Sequence, residues 1–154
     1  MRMVIGVLAA LLGCLACEGA QDADTMVAQP LTVTGDAGPG GTCLGGVTHL
    51  LLEPDPEIPG RWTGESHDES APIEGVRHRI SSSIQADLIG SVLHVSDQGT
   101  LTADTLPEGW IWCSSDLDLV WDEGPDGIQL NGEWDSRDCD CRGKIEATIV
   151  EPWN

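Results

Sequence analysis

The sequence predicts an all-β fold, a small antiparallel barrel or sandwich of about eight strands that is stapled by disulfides. Apolar and polar residues alternate along short segments separated by turns, and no stretch carries the periodicity of an amphipathic helix. With 19 glycines, 9 prolines and no phenylalanine or tyrosine, the composition is that of a turn-rich β protein. Four cysteines lie in the body of the chain, and 154 residues allow one compact domain.

The first 16 residues are typical of a signal peptide that is removed during export. Arg2 supplies the positive start, and the uncharged apolar run 3–15 ends in small residues. This run of 13 residues is shorter than the roughly 20 that a transmembrane helix needs. We therefore expect residues 1–16 to be absent from the mature protein.

Two segments at the end of this signal, Leu11-Leu12-Gly13-Cys14 and Leu15-Ala16-Cys17, resemble the lipobox of bacterial lipoproteins. The resemblance implies cleavage before a cysteine, thioether attachment of a diacylglyceryl group to it, and acylation of the new amino terminus with palmitate or a similar chain. Several acyl chains anchor a protein to a membrane far more firmly than one. The expected product is a lipoprotein of the cell envelope.

Two cysteines compete for the lipid. Cys17 is favoured because cleavage there leaves an even set of four further cysteines, whereas Leu11, at the usual leucine position, favours Cys14. An ordinary secretory signal is the remaining interpretation, and it would still export the chain. Sorting rules are read at the residue after the lipidated cysteine, here Glu18, and we expect an outer-membrane location on the periplasmic or surface face.

The charge of the processed chain is strongly negative. Removal of the signal leaves 6 basic and 26 acidic side chains, or −20 with histidine neutral. This charge argues against nucleic acid as a partner and repels anionic lipid head groups, so the membrane contact is expected to run through the lipid anchor. A divalent cation or a basic protein would suit the charge, but solubility explains it without a ligand.

Residues 17–42 are predicted to be the lipidated cysteine and a flexible tether, and residues 43–154 a single β domain. The tether is poor in large apolar side chains and rich in Gly, Asp and Thr. Within it, the alternation in residues 31–34 is compatible with a short first strand, and this point stays open.

From Cys43 onward, alternation and turns predict the strands in order. Residues 47–52 form an apolar run, and the proline-rich acidic segment 53–60 separates it from a strand starting near Arg61. Apolar residues at spacing two from Ile80 to Leu88 predict the next strand, and a bend follows at 89–91. Residues 92–95 and 100–103 flank Ser96-Asp97-Gln98-Gly99, which predicts a hairpin turn.

The clearest hairpin follows. Leu117, Leu119 and Trp121 alternate with acidic residues, and across the turn 122–127 Ile128, Leu130 and Trp134 alternate with polar ones. One face of this ribbon must therefore lie on a shared core. Residues 144–150 close the chain with a last alternating strand.

Cys43, Cys113, Cys139 and Cys141 are predicted to form two disulfides in an oxidising compartment. Three connectivities exist, and we favour those in which Cys43 and Cys113 each pair with one cysteine of the Cys139-Asp140-Cys141 segment. A redox-active or metal-binding Cys-x-Cys is the alternative, but no histidine lies near this pair in the sequence.

The tryptophans allow one tentative binding patch. Trp121 and Trp134 lie on the apolar face of the hairpin and are expected in the core. Trp110 and Trp112 would lie on one side of a strand and Ile111 and Cys113 on the other. If Ile111 and Cys113 face the core, the Trp110 and Trp112 indoles are exposed and form the candidate patch.

Two segments share a Gly-x-Trp pattern, Gly60-Arg61-Trp62 and Gly132-Glu133-Trp134. Gly-x-Trp at the opening strand of a small barrel resembles lipocalins and avidins. The match covers three residues in each copy, and the resemblance implies a barrel that holds a ligand, without naming the ligand.

No catalytic site is predicted, and no metal or cofactor. The four histidines form no motif, and the segment 66–70, Ser-His-Asp-Glu-Ser, is expected in a loop where sequence neighbours rarely build a triad. Asp116 and Asp118 share a strand face, which a cation site or a solvated surface explains equally well. Arg77-His78-Arg79 is expected to pair with acidic neighbours.

Two function classes remain. The first is a non-enzymatic, membrane-anchored envelope lipoprotein with a structural role or a partner protein at the envelope or cell surface. The alternative is a small-molecule carrier or sensor with a calycin-like barrel. A cavity lined by Trp62, Trp121 or Trp134 would favour the carrier, whereas a filled core would favour the envelope protein.

Overall fold

The computed structural model describes residues 29–150, which form one closed antiparallel barrel of eight strands. Each strand pairs with the next along the chain, and β1 pairs with β8 to close the ring. The prediction of an eight-stranded, all-β fold is confirmed, and of its two architectures the structure is the barrel. The strands are β1 (Leu31–Ala37), β2 (Gly46–Pro54), β3 (Arg61–Ser70), β4 (Arg79–Ile89), β5 (Val92–Ala103), β6 (Asp116–Gly124), β7 (Gly127–Ser136) and β8 (Cys141–Val150).

The described part of the chain contains no helix that is long and apolar enough to cross a membrane. Cys14 and Cys17, the two candidates for lipidation, lie outside the described residues together with the rest of the predicted signal peptide.

Alternation along the strands sorts the side chains between the inside and the outside of the barrel. In β2, Thr48, Leu50 and Leu52 are buried while the residues between them are exposed. Register keeps inward residues beside inward residues, so that Leu50 pairs with both Val33 of β1 and Ser66 of β3. The inside of the barrel is therefore lined all round by the inward side chains of the strands.

The two ends of the barrel differ. The end formed by the loops 55–60, 90–91 and 125–126, here the filled end, is packed with fully buried apolar side chains, and the Trp62 indole donates a hydrogen bond to the Gln29 carbonyl at 2.9 Å. The opposite end, here the open end, is formed by the loops 38–45, 71–78, 104–115 and 137–140. Buried residues of the filled half include Leu31, Leu52, Trp62, Ala86, Leu93, Leu119 and Leu130.

Four predictions made from the sequence are corrected. Residues 31–37 are the first strand of the barrel, so the domain begins before Cys43 and takes in part of the predicted tether. The residues that flank β1 give little sign of a strand in the sequence, but in the structure β1 is stabilised by pairing with both β2 and β8. The hairpin predicted at 96–99 is wrong, because β5 runs unbroken from Val92 to Ala103. The turn-forming residues 96–99 lie instead where the pairing register between β5 and β4 shifts. The shifts fall between Ser81 and Ser82 and between Ser83 and Ile84, as at a β-bulge.

The third correction concerns segment 66–70, which belongs to β3 and is not a loop. The strand was not predicted here because its inward residues, Ser66 and Asp68, are polar, whereas a strand is usually recognised by apolar residues on its inward side. The strand predicted through 110–113 is also wrong, since these residues belong to the loop between β5 and β6.

Candidate functional site

A cavity of about 1130 Å³ occupies the open end of the barrel and opens to solvent. Its floor is the inward side of β2, β4, β5 and β6, and its rim is built from the open-end loops. Ligand cavities for small molecules typically have volumes of about 300–1,000 Å³. The open half of this barrel therefore has the capacity of a binding cavity, while the other half supplies the packed core that holds its shape. Floor residues include Leu50, Ile84, Val95 and Leu117.

One wall of the cavity is polar. It follows adjacent strands, from Thr48 on β2 through Ser66 and Asp68 on β3 to Ser82 on β4, and it ends at Asp97 on β5. Register explains this continuity, since Thr48 pairs with Asp68 and Ser66 pairs with Ser82. Hydroxyl and carboxylate groups thus replace apolar side chains on the inward side of one half of the ring.

Asp68 is a partly buried carboxylate of this wall. Burial raises the pKa of its carboxyl, and the nearby negative charge of Asp97 raises it further. Hydrogen bonds from the Thr48 and Ser66 hydroxyls oppose this rise in pKa, and the Ser66 Oγ lies 3.0 Å from Asp68 Oδ2. No Lys or Arg of the described chain forms an ion pair with Asp68. Its charge is stabilised mainly by these neutral donors, with a smaller contribution from the neighbouring His67.

Asp97 is placed by the irregularity in β5. Its Oδ1 accepts a hydrogen bond from the Gly99 amide at 2.8 Å, and its own amide donates to Asp116 Oδ1 at 3.1 Å. Gly99 has a φ of 141°, a conformation that favours glycine. The same turn chemistry that predicted a hairpin therefore bends a continuous strand and holds the Asp97 carboxylate at the cavity.

The opposite wall is apolar and aromatic. Strands β3 and β7 lie four positions apart in the ring of eight, so Trp134 of β7 faces the side that carries Asp68. The Trp134 indole donates a hydrogen bond to the Gly38 carbonyl at 2.9 Å, which ties β7 to the loop between β1 and β2. Ile145 of β8 and Leu117 of β6 line the cavity beside it. The Trp134 position combines a fixed aromatic ring with access to the cavity.

The loop 104–115 carries the predicted patch, Trp110 and Trp112, and both indoles line the mouth of the cavity. Trp110 is 41% exposed, and Trp112 donates its Nε1 hydrogen to the Asp104 carbonyl at 2.9 Å. Ile111 is 74% exposed, so the condition under which the sequence exposed the two indoles, that Ile111 faces the core, is not met. The two tryptophans are on the rim because the loop folds over the cavity, and not because they share a strand face.

Two disulfides anchor this rim. The structure pairs Cys43 with Cys141 and Cys113 with Cys139, which is one of the connectivities favoured from the sequence. The first bridge joins the loop between β1 and β2 to the start of β8. The second joins the tryptophan loop to the loop between β7 and β8. Both therefore hold open-end loops against the barrel.

Four other charged residues singled out in the sequence lie outside the cavity and form ion pairs. Asp116 forms an ion pair with Arg137, and Asp118 pairs with His94, so the structure separates these two carboxylates. Arg77 and Arg79 both pair with Glu69, as expected from their acidic surroundings. Within residues 29–150, no group of three or more His, Cys, Asp or Glu side chains could hold a metal ion.

The sequence analysis missed the polar wall. Its signal was present, because counting by twos from Trp62 along a strand places Ser66 and Asp68 on the same side as the buried indole. The sequence does not show that Asp68 lies across the barrel from Trp134 at the open end, because this depends on how the sheet closes. No family model, curated protein or solved structure matches this chain.

Proposed function

We propose that this protein is a membrane-anchored envelope lipoprotein whose barrel binds a small amphiphilic molecule in its open half. The observation that carries the binding proposal is the cavity of about 1130 Å³, which is lined by Trp134 and by the rim tryptophans. A structural lipoprotein would need no such space, because filling the barrel with side chains gains apolar burial and packing. The lipid anchor rests on the lipobox resemblance at Cys17, with Cys14 as the alternative.

The two walls support an amphiphilic ligand. Trp134, Leu117 and Ile145 present apolar surface, and the Thr48, Ser66 and Asp68 side chains present polar groups within the same cavity. A few polar groups in a mainly apolar cavity orient a ligand, while burial supplies most of the affinity. A carrier or sensor tethered to a membrane would in this way hold a molecule that is sparingly soluble in the surrounding water.

Binding without chemical conversion is the simpler use of this site. Ser66 bonds to Asp68, and no serine that lines the cavity hydrogen-bonds to a histidine ring in the described part of the chain. The serine of a Ser-His site is activated by a histidine base, whereas the Ser66 hydroxyl donates its hydrogen bond to a carboxylate. The lining therefore supplies recognition groups, and we propose that the protein is not an enzyme.

The test uses Nile red, a neutral apolar dye whose emission rises in an apolar environment. We expect saturable binding to the purified, disulfide-bonded protein, with energy transfer from the cavity tryptophans to the dye. Ser82→Phe should weaken binding at least tenfold, because Ser82 is buried on the cavity wall and the added ring occupies its volume. Ser83→Phe is the matched control, since Ser83 neighbours it in β4 and is not part of the lining.

Circular dichroism and thermal unfolding establish that both variants keep the fold. As a second readout, Trp110→Phe with Trp112→Phe should lower the energy transfer to bound dye. Equal affinities of the Ser82→Phe and Ser83→Phe variants, or dye binding without saturation, would overturn the proposal that the cavity is the site.

A further inference from the structure

The charged side chains that line the cavity all have the same sign. Asp68, Glu69, Asp97 and Asp138 are acidic, and no Lys, Arg or His of the described residues lines it. Glu69 is neutralised by Arg77 and Arg79 on the outside of the rim. Asp138 lies on the rim and accepts a hydrogen bond from the Ser136 hydroxyl at 2.8 Å. Asp68 and Asp97 are left as the two carboxylates inside the cavity that no ion pair of the described chain neutralises.

Two carboxylates that repel each other are unfavourable on a partly buried wall, because burial reduces the amount of water that screens them. Asp68 and Asp97 interact repulsively and share this wall. A positively charged ligand would relieve both the repulsion between the two carboxylates and the unfavourable burial of their charges. An anionic occupant would add to the repulsion, and a neutral one would leave it.

The aromatic groups reinforce the same selectivity. Trp110, Trp112 and Trp134 line the cavity, and the face of an indole attracts cations more strongly than that of any other side chain. Trp134 across the barrel from Asp68, with Trp110 and Trp112 at the mouth, suits a molecule with a charged group at one side and an apolar body at the other.

We propose that the ligand is a small organic cation, an ammonium or guanidinium group on an apolar or aromatic body, held by Asp68 and Asp97, by Trp134 across the barrel and by the two rim indoles. This inference rests on the proposed ligand-binding function and names its ligand class. A bare divalent metal ion fits less well, since Ca²⁺ takes about six to eight oxygen ligands and Mg²⁺ requires near-octahedral geometry. The described cavity has no group of three acidic side chains that could hold a metal.

The experiment compares three probes with the same ring system by isothermal titration calorimetry at pH 7.5 and low salt. They are 1-naphthylmethylammonium, 1-naphthalenemethanol and 1-naphthoate, which are cationic, neutral and anionic. We expect the cation to bind at least tenfold more tightly than the alcohol, and the naphthoate to bind most weakly. Added 5 mM Ca²⁺ should leave the affinity for the cation within about twofold, apart from ionic-strength screening matched with NaCl.

The variant Asp68→Asn with Asp97→Asn tests the assigned residues. It should lower the affinity for the cation at least tenfold while leaving the affinity for the alcohol within about twofold, because asparagine keeps the size and removes the charge. Asp122→Asn with Asp126→Asn is the matched control, since it removes two charges near the filled end, outside the cavity lining.

The outcomes separate this inference from the proposed function. If the cation and the alcohol bind equally, with affinities that Ser82→Phe lowers, the cavity binds ligands and the preference for cations is wrong. If both pairs of asparagine substitutions weaken cation binding equally, the effect is one of net charge and the assignment to Asp68 and Asp97 is overturned. If no probe and no dye binds, both the inference and the proposed function fall. Displacement of the cation by Ca²⁺ would show a metal site instead.

Discussion

The indole of Trp134 lies directly over Gly143, its register partner on the neighbouring strand. A Cβ atom placed on Gly143 would lie 2.6 Å from Cε2 and 2.7 Å from Cζ2 of this indole, which is closer than Cβ atoms approach other heavy atoms. The absence of a side chain on β8 therefore sets the position of the aromatic ring on β7. The ring in turn forms part of the cavity wall and bonds to Gly38.

Gly143→Ala is expected to destabilise the protein by about 1–3 kcal/mol, because the methyl group forces the Trp134 indole out of its place. The same displacement should weaken Nile red binding. Gly124→Ala is the control, since a Cβ there would meet nothing closer than the Gly127 carbonyl oxygen at 3.8 Å. Urea denaturation measures both changes. Equal stabilities of the two variants would show that the indole can move without cost.

Asp68→Asn is expected to raise the melting temperature at pH 7.5. Burial raises the folded-state pKa of the Asp68 carboxyl, so its ionised form destabilises the fold at every pH above that folded-state pKa. As the pH falls through the raised folded-state pKa, the folded chain takes up the proton before the unfolded chain does, and the penalty disappears. The gap in melting temperature between Asp68→Asn and the wild type should therefore narrow from pH 7.5 towards pH 4.

Differential scanning fluorimetry across this pH range checks the prediction. Asp126→Asn serves as the control, because Asp126 is exposed in the turn before Gly127, and Asn-Gly is as suitable as Asp-Gly for a two-residue hairpin turn. A melting temperature that Asp68→Asn lowers at pH 7.5 would mean that the charge is compensated, and would also weaken the case for a cationic ligand.

The two disulfides are expected to have different effects. Cys43–Cys141 spans 98 residues and Cys113–Cys139 spans 26. Chain-entropy reasoning gives losses of about 4–5 kcal/mol and about 3–4 kcal/mol when the paired cysteines are replaced by serine. The second replacement should weaken Nile red binding more, because it frees the loop that carries Trp110 and Trp112.

Urea denaturation and dye titration of the two double-serine variants measure these changes. If the variant lacking Cys43–Cys141 loses more dye affinity while it is still folded, the tryptophan loop is not the part of the rim that retains the ligand.

Cys17→Ser is expected to abolish lipidation in a bacterial host and to leave the full signal on the chain. Cys14→Leu is the control, because it places leucine at the usual lipobox position before Cys17 and should be processed normally. Intact mass spectrometry of the membrane fraction distinguishes the products. A lipidated chain that begins at residue 14 would assign the anchor to Cys14, and an unlipidated chain cleaved elsewhere would indicate an ordinary secretory signal.

The hairpin 116–136 shows how much of the fold could be predicted from alternation alone. Leu117, Leu119, Leu130 and Trp134 are all buried, as their spacing predicts, because polar residues separate them on both strands. Strand β3 shows the opposite case. Its inward residues include Ser66 and Asp68, so the apolar side of the strand is incomplete and the pattern is lost exactly where the cavity begins.

The sequence by itself determined the all-β class, most of the strands and the pool of disulfide partners, because these depend on local alternation, turn residues and the count of cysteines. Only the tertiary structure decided that the sheet closes, that β1 belongs to it, and that Asp68 faces an aromatic wall. Closure depends on pairing between β1 and β8, which are far apart in the chain, and the cavity depends on which inward positions are left without large side chains once the ring has closed.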